Sequence, residues 1–244
     1  MSKYKIIIEY EGTNYVGWQK QNNGSSIQEE LEKAIFKLSG EKISVFGAGR
    51  TDAGVHALGQ VAHFNLKKIF DLDNIRDGLN QHLRPQPIAI LKAEKVRENF
   101  HARFSAQKRT YQYRITNRRA PLTIYKNKSW EVFKELNMNK MISEAGYFIG
   151  KHNFDAFRSV NCQSNSPIKT IEDINIQKEE DNIFIKISAK SFLHSQVRII
   201  VGTLIEIAKG KIKKNVKDII KDKKRSQAGI TAPACGLYLV KVDY

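Results

Sequence analysis

Cysteine is scarce in this chain of 244 residues: Cys162 and Cys235 stand far apart and form no CxxC pair. Two isolated thiols support neither a disulfide framework nor a cysteine zinc site, and both read as plain thiols. No apolar stretch approaches the roughly 20 consecutive residues that a membrane-spanning helix needs. The opening MSKYKIIIEYEG has too short an apolar run for a secretory leader and carries acids directly after it. These absences lead to the expectation of a cytoplasmic protein without a membrane segment. Metal motifs are missing too. The six histidines, His56, His63, His82, His101, His152 and His194, form neither HExxH nor a short ligand pair, which disfavours a metal-dependent hydrolase.

The remaining shortage is of acid. Against 41 Lys+Arg stand 25 Asp+Glu, a formal net charge of +16. Such an excess argues for a polyanionic partner, nucleic acid first, and says nothing about fold. Divided near residue 105, the chain carries 15 basic and 12 acidic residues before the point and 26 against 13 after it, net +3 and +13. The densest stretch, KIKKNVKDIIKDKKR at 211–225, has eight Lys/Arg and two Asp. Val216, Ile219 and Ile220 fall at helical spacing within it, so a short amphipathic helix with a basic polar face is expected there; whether that face meets a partner or only water stays open.

What is present is periodic. With 41% apolar residues gathered into patterned segments, the chain should fold rather than stay disordered, as one large domain or two modest ones. KYKIIIEY reads as a strand. Ser26-Ile27-Gln28-Glu29 matches a capping box ahead of Ile27, Leu31, Ala34, Ile35 and Leu38 on one helical face, with Gly40 as the stop. ISVFG at 43–47 and LGQVAHFNL read as strands, Leu72, Ile75, Leu79 and Leu83 mark a second helix, and PIAILKAEKV and ENFHARF are expected to be strands. After residue 105 come a strand in KRTYQYRITN, a helix in MNKMISEAGYFIG with Met141, Ile142, Ala145, Phe148 and Ile149 inward and Gly150 as its stop, a strand in NIFIKISAK, a helix in FLHSQVRIIVGTLIEIAKG, and a final strand in GLYLVKVDY. The grammar is α+β in two halves, 1–105 and 106–244.

GAGRTDAG at 47–54 places three glycines around an arginine and an aspartate directly after a strand. Such glycine density implies a tight backbone path. A dinucleotide loop would need its third glycine where Asp52 stands, and a P-loop would need Lys and Ser/Thr where Val55 and His56 stand. An aspartate in either cradle would repel phosphate, so the loop presents Asp52 instead. A carboxylate oriented by a nearby guanidinium, here that of Arg50, can act as nucleophile, general base or cation stabiliser at a glycosidic carbon. No second acid of the kind a retaining glycosidase requires is evident nearby.

GAGRTDAGVHA, with YEGTNYVGWQKQ before it and KRTYQYRI, GKHNFDAF, FLHSQVRIIVGTL and APACGLYLV after it, resembles the TruA-type tRNA pseudouridine synthases, in order from about residue 8 to 240. The sequence departs from the pattern at Asn153, where Asp is frequent, and at Cys235, where Pro or an acid is common. The resemblance implies two ferredoxin-like (RNP-like) α+β halves, a central mostly antiparallel sheet flanked by helices, and an active-site cleft between the halves. It implies isomerisation of uridine to pseudouridine at positions 38 to 40 of the tRNA anticodon stem-loop, without cofactor or metal, by a homodimer. It makes Asp52 the essential carboxylate and Arg50 its partner, which helps fill the space the target nucleotide leaves. By the same resemblance Arg198 pairs with Asp52 or a nearby phosphate, Tyr111 packs against the target base, and Leu237 lines the uracil pocket. Trp18 and Gln19 fall in a loop that the family places near RNA. Tyr113 lies on the same strand face as Tyr111 and reads as core. Two other classes are weighed against this: a catalytically inert basic RNA-binding protein, which retention of Asp52, Arg50, Tyr111 and Arg198 argues against, and an RNA glycosylase or nuclease, weakened by the missing second acid and metal ligands.

Overall fold

The computed structural model describes residues 1–244 and resolves into two compact units, Met1–Gln107 with Tyr238–Tyr244, and Lys108–Leu237. In the first, β1 (Ser2–Tyr10), α1 (Ile27–Ser39), β2 (Phe46–Gly47), β3 (His56–Leu66), α2 (Leu72–Leu83) and β4 (Ile88–Val96) follow one another. The sheet runs β4-β1-β3 in antiparallel register, with β2 antiparallel on β3, the βαββαβ order of a ferredoxin-like unit. Strand β3 is buried along nearly its whole length, with only Leu58 and Asn65 exposed.

Helix α1 forms as its sequence prescribes. The Ser26 hydroxyl accepts the Glu29 N–H, Ile27, Leu31, Ala34 and Ile35 face inward, and Gly40 at φ 76° closes the end by donating its N–H to Phe36 O. Two expected strands are different. ISVFG pairs only at Phe46 and Gly47, because α1 side chains take the hydrogen bonds of Val45: Glu32 Oε1 accepts its N–H at 3.1 Å and Gln28 Nε2 donates to its carbonyl at 3.1 Å. ENFHARF is a run of turns held by side chains, with His63 Nδ1 accepting the Ala102 N–H and Ser105 Oγ that of His101. Local side-chain acceptors here outcompete a ladder.

The second unit holds β5 (Lys108–Asn117), β6 (Trp130–Val132), α3 (Met138–Ala145), β7 (Gly150–Asn153), β8 (Ile168–Glu179), β9 (Asn182–Ala189), α4 (Gln196–Ala208) and α5 (Val216–Asp222). Its sheet runs β5-β9-β8-β7 antiparallel, with β6 parallel on β5. Helix α3 stops at Ala145 and a short 3-10 turn follows, so Phe148 is buried while Ile142 and Ile149 are exposed; Gly150, at φ 106°, opens β7 instead of ending the helix. Helix α4 is buried almost all round, with Arg198 its one half-exposed side chain. The last strand, β10 (Leu237–Asp243), lies parallel to β3 in the first unit, Tyr238 opposite His56 and Leu239 opposite Ala57. Both cysteines are free thiols, and no helix is long and apolar enough to cross a membrane.

Candidate active site

The loop from Ala48 to Val55 connects β2 to β3, and backbone groups on both sides of Asp52 are held. Ala48 donates to Val61 O at 2.7 Å, and Gln60 of β3 donates its side-chain amide to Gly49 O at 3.0 Å. Thr51 is fixed twice: its carbonyl accepts the Trp18 N–H at 3.0 Å and its hydroxyl lies 2.9 Å from Tyr10 Oη in a buried pair. Beyond Asp52 the chain turns through Gly54 at φ 77°, and Val55 N–H returns to Asp52 O at 3.2 Å. His56 then accepts the Gly12 N–H on Nδ1 at 3.0 Å. Asp52 thus stands half-buried on a backbone fixed on both sides, two residues from the exposed Arg50.

The support comes from 11–18, a segment without regular structure. Gly17 has φ 109°, and a Cβ there would lie 2.5 Å from Thr51 O and 3.1 Å from the Asp52 carbonyl carbon. Only glycine lets the two backbones approach this closely. Trp18 is 2% exposed, tilted against Tyr10 and wedged beneath Gly47, whose added Cβ would meet the indole at 2.5 Å. The Trp18 ring is thus a buried prop beneath the loop, while Gln19 beside it is half-exposed. Tyr10, Gly12 and Gly17 lie inside the motif YEGTNYVGWQKQ but take no role from it, and Gln60 of β3 carries no signal in the sequence.

The other expected site residues belong to the second unit. Tyr111 and Tyr113 share a face of β5, opposite Ile187 and Ile185 of β9. Tyr113 is fully buried, its hydroxyl donating to Pro233 O at 2.7 Å, and burial pushes it well above the ordinary phenol range, so it is a neutral core donor. Tyr111 is 9% exposed and meets Phe192 edge to face at 5.3 Å. Arg198, in the first turn of α4, donates Nε to Ala232 O at 2.8 Å while its own carbonyl accepts the Ala232 N–H, a reciprocal clasp that sets the arginine stem. Leu237 is 6% exposed at the start of β10. Cys235, the departure from the family pattern, has its thiol pushed up by burial and directed at Ser129 O at 3.5 Å, so it remains a neutral packing group. No three His, Cys, Asp or Glu side chains gather as metal ligands.

A family model described as tRNA pseudouridine synthase matches residues 6–105 and 145–244. A protein of Wolbachia pipientis wMel named tRNA pseudouridine synthase A is 54% identical over 244 residues, 99% of this chain and 100% of its own. One of the same name from Ehrlichia ruminantium strain Gardel is 54% identical over 99% of both chains, and one from Parvibaculum lavamentivorans is 49% identical over 100% of both. Among solved structures, a chain of a Cbf5-Nop10-Gar1 complex aligns with 96% of this chain and 57% of its own at a TM-score of 0.41 and 8% identity, a likeness too slight to bear on function.

Proposed function

We infer the working parts from one premise: the chain belongs to the tRNA pseudouridine synthase family, and it isomerises uridine to pseudouridine in tRNA. The reaction breaks the C1′–N1 bond, turns the uracil and joins C1′ to C5, with a proton lost from C5 and one gained at N1. Nothing is consumed, so no cofactor is called for. Asp52 is the essential carboxylate, acting on the nucleotide as nucleophile or base. The observation that carries this reading is the fixed loop: Thr51 and Val55 are pinned while the Asp52 side chain between them stays accessible. Pre-organisation of that kind is what a reacting group requires. Arg50 orients the carboxylate and follows the flipped nucleotide into the space it vacates. Tyr111 supports the base, Leu237 lines the uracil pocket, and Arg198, held by its clasp on Ala232, supplies positive charge.

The substrate site is the anticodon stem-loop at positions 38 to 40, the working form is a homodimer, and the compartment is the cytoplasm. Recognition through shape and phosphates suits a chain of net charge +16. The test is to incubate the purified protein with unmodified tRNA, without metal or cofactor, and map pseudouridine along it. Product on the 3′ side of the anticodon arm is expected; strand breaks, or no product, would overturn the reading. Asp52→Asn keeps shape but removes the anion, and should abolish product with tRNA affinity close to wild type.

A further inference from the structure

The lysine-rich run at 211–225 ends in Lys223-Lys224-Arg225, and the fold gives this end a particular setting. Helix α5 spends its apolar side on Val216 and Ile219 and stops at Lys223, whose backbone is left-handed at φ 57°. The chain then reverses, and Arg225 points back at the following segment. Its Nη1 donates to Gly229 O at 2.8 Å and to Ala228 O at 3.5 Å, and its Nη2 to Thr231 Oγ1 at 3.3 Å. All of these acceptors are neutral, and the guanidinium forms no ion pair. Burial alone acts on it, lowering its pKa from the ordinary arginine value with no acid to offset the cost. A half-buried cation without a counter-charge is expensive.

Facing it across a cavity of about 330 Å³ are Arg158, Ser159 and Val160. Arg158 is held by Asp155 at 2.8 Å, and Ser159 is fixed by its N–H to His194 O at 3.1 Å. Lys223 completes the wall. The neighbouring Asp222 is engaged by Lys214 and cannot neutralise the cavity. Asp155 also lines the cavity but is committed to Arg158, so three cations share one engaged carboxylate, and Arg225 keeps two of its five donors for a guest. The guest this chemistry fits is an anion with several acceptor oxygens and an open, chain-like continuation, since Val160 at the rim is 95% exposed.

We propose that this cavity, lined by Arg158, Ser159, Lys223 and Arg225 together with Val160 and the paired Asp155, seats a backbone phosphate of the substrate tRNA. The proposal rests on tRNA being the substrate and adds a place where it is gripped. The site is tied to the proposed catalytic machinery by one short segment: from Arg225 the chain runs to Gly229, whose N–H is held by Thr203 of α4 at 2.8 Å, and then to Ala232, the partner of Arg198. A phosphate seated here would register the RNA against the segment that positions Arg198.

The experiment measures binding of unmodified tRNA to the full-length protein by filter retention over a range of KCl, for wild type and for Lys223→Gln, Arg158→Gln, Arg225→Gln and Arg225→Lys. Lys217→Gln, on the exposed side of α5, is the comparison. Each charge removed from a phosphate contact should flatten the log–log salt slope by about 0.7 to 0.9, equivalent to a roughly threefold change in relative affinity over a fourfold range of salt. Arg225→Lys should keep the slope. Lys223 makes no side-chain hydrogen bond or ion pair, so its variant is expected to fold as wild type and to bind tRNA more weakly. Should Arg225→Gln melt early, Lys223→Gln and Arg158→Gln carry the test. Unchanged slopes in those two, or an equal effect from Lys217→Gln, would overturn the site in favour of a diffuse field. Failure of the synthase reading is separate: wild type would then bind tRNA and leave no pseudouridine in it.

Discussion

Replacing Gly17 by alanine probes how Asp52 is held, and Gly40 supplies the control. Both glycines have positive φ, 109° and 76°, but around a Cβ at Gly40 nothing lies within 4 Å, whereas at Gly17 it would sit 2.5 Å from the Thr51 carbonyl oxygen and 3.1 Å from the Asp52 carbonyl carbon. Gly40→Ala therefore meets backbone strain alone, about 1 to 2 kcal/mol. Gly17→Ala meets comparable strain, about 1 to 3 kcal/mol, and must also push backbone apart. Restoring an ordinary contact of about 3.4 Å requires a shift on the order of 0.9 Å, and misplacing a reacting group by about 1 Å can cost roughly 100-fold in rate. Urea unfolding should show both variants destabilised, Gly17→Ala by about 1 kcal/mol or more beyond Gly40→Ala. Single-turnover assays with saturating tRNA should show Gly40→Ala near wild type and Gly17→Ala slower by about 10- to 100-fold, with tRNA affinity preserved. Wild-type turnover in Gly17→Ala alongside the same stability loss as Gly40→Ala would refute the claim that 11–18 positions the aspartate.

Three further outcomes are expected. His63 is 4% exposed, accepts the Ala102 N–H on Nδ1 and stacks on Phe46; burial, followed by the nearby His101 and Lys3, pushes its pKa down to about 4. Between that value and the ordinary 6.5 the unfolded chain binds the extra proton. Stability should thus be intact above pH 6.5 and fall by at most about 3 kcal/mol as pH drops through 4; urea midpoints of wild type and His63→Gln across this window check it, and parallel pH profiles would sink it. Tyr113→Phe removes the donor to Pro233 O and leaves a carbonyl short of a partner, so unfolding should be easier by about 1 to 3 kcal/mol; an unchanged melting curve would mean the bond contributes nothing. Ser26→Ala should cost about 1 kcal/mol by uncapping α1, measurable in the same denaturant assay.

The α+β character and the Asp52 loop were readable because their causes are local: the Ser26 cap, the Ile27 to Ile35 stripe and the glycines of GAGRTDAG each act within a few residues. Where the outcome depended on a distant group, the string was silent or misleading. Val45 looked like strand until Glu32 and Gln28 took its backbone bonds. His101 and Ala102 looked like strand until Ser105 and His63 did the same. Strand β8 escaped notice because its isoleucines, Ile168, Ile171, Ile174 and Ile176, keep no single period and only Ile171 is buried. Arg198 was singled out only through the family resemblance, and its stem is clasped by Ala232, 34 residues away in sequence. Trp18 entered through the family resemblance as part of a loop near RNA, and only the approach of Gly47 reveals what its ring does.

The course of synthesis is constrained by where β10 lies. Its residues Tyr238–Tyr244 belong to the unit that begins at Met1, pairing beside β3, accepting the Gln107 N–H at Asp243 and reaching Ala102 O from the Tyr244 hydroxyl. The intervening unit is Lys108–Leu237, and at about 5 to 20 residues per second its translation takes on the order of 7 to 26 s. Through that interval the His56 end of β3 lacks its parallel partner, an open strand edge of the kind that invites wrong pairing. Deleting Tyr238–Tyr244 should reproduce the waiting state and show fast amide exchange at the β3 end that carries His56. The half of the molecule that emerges first, with the loop of Asp52 in it, is the half that is finished last.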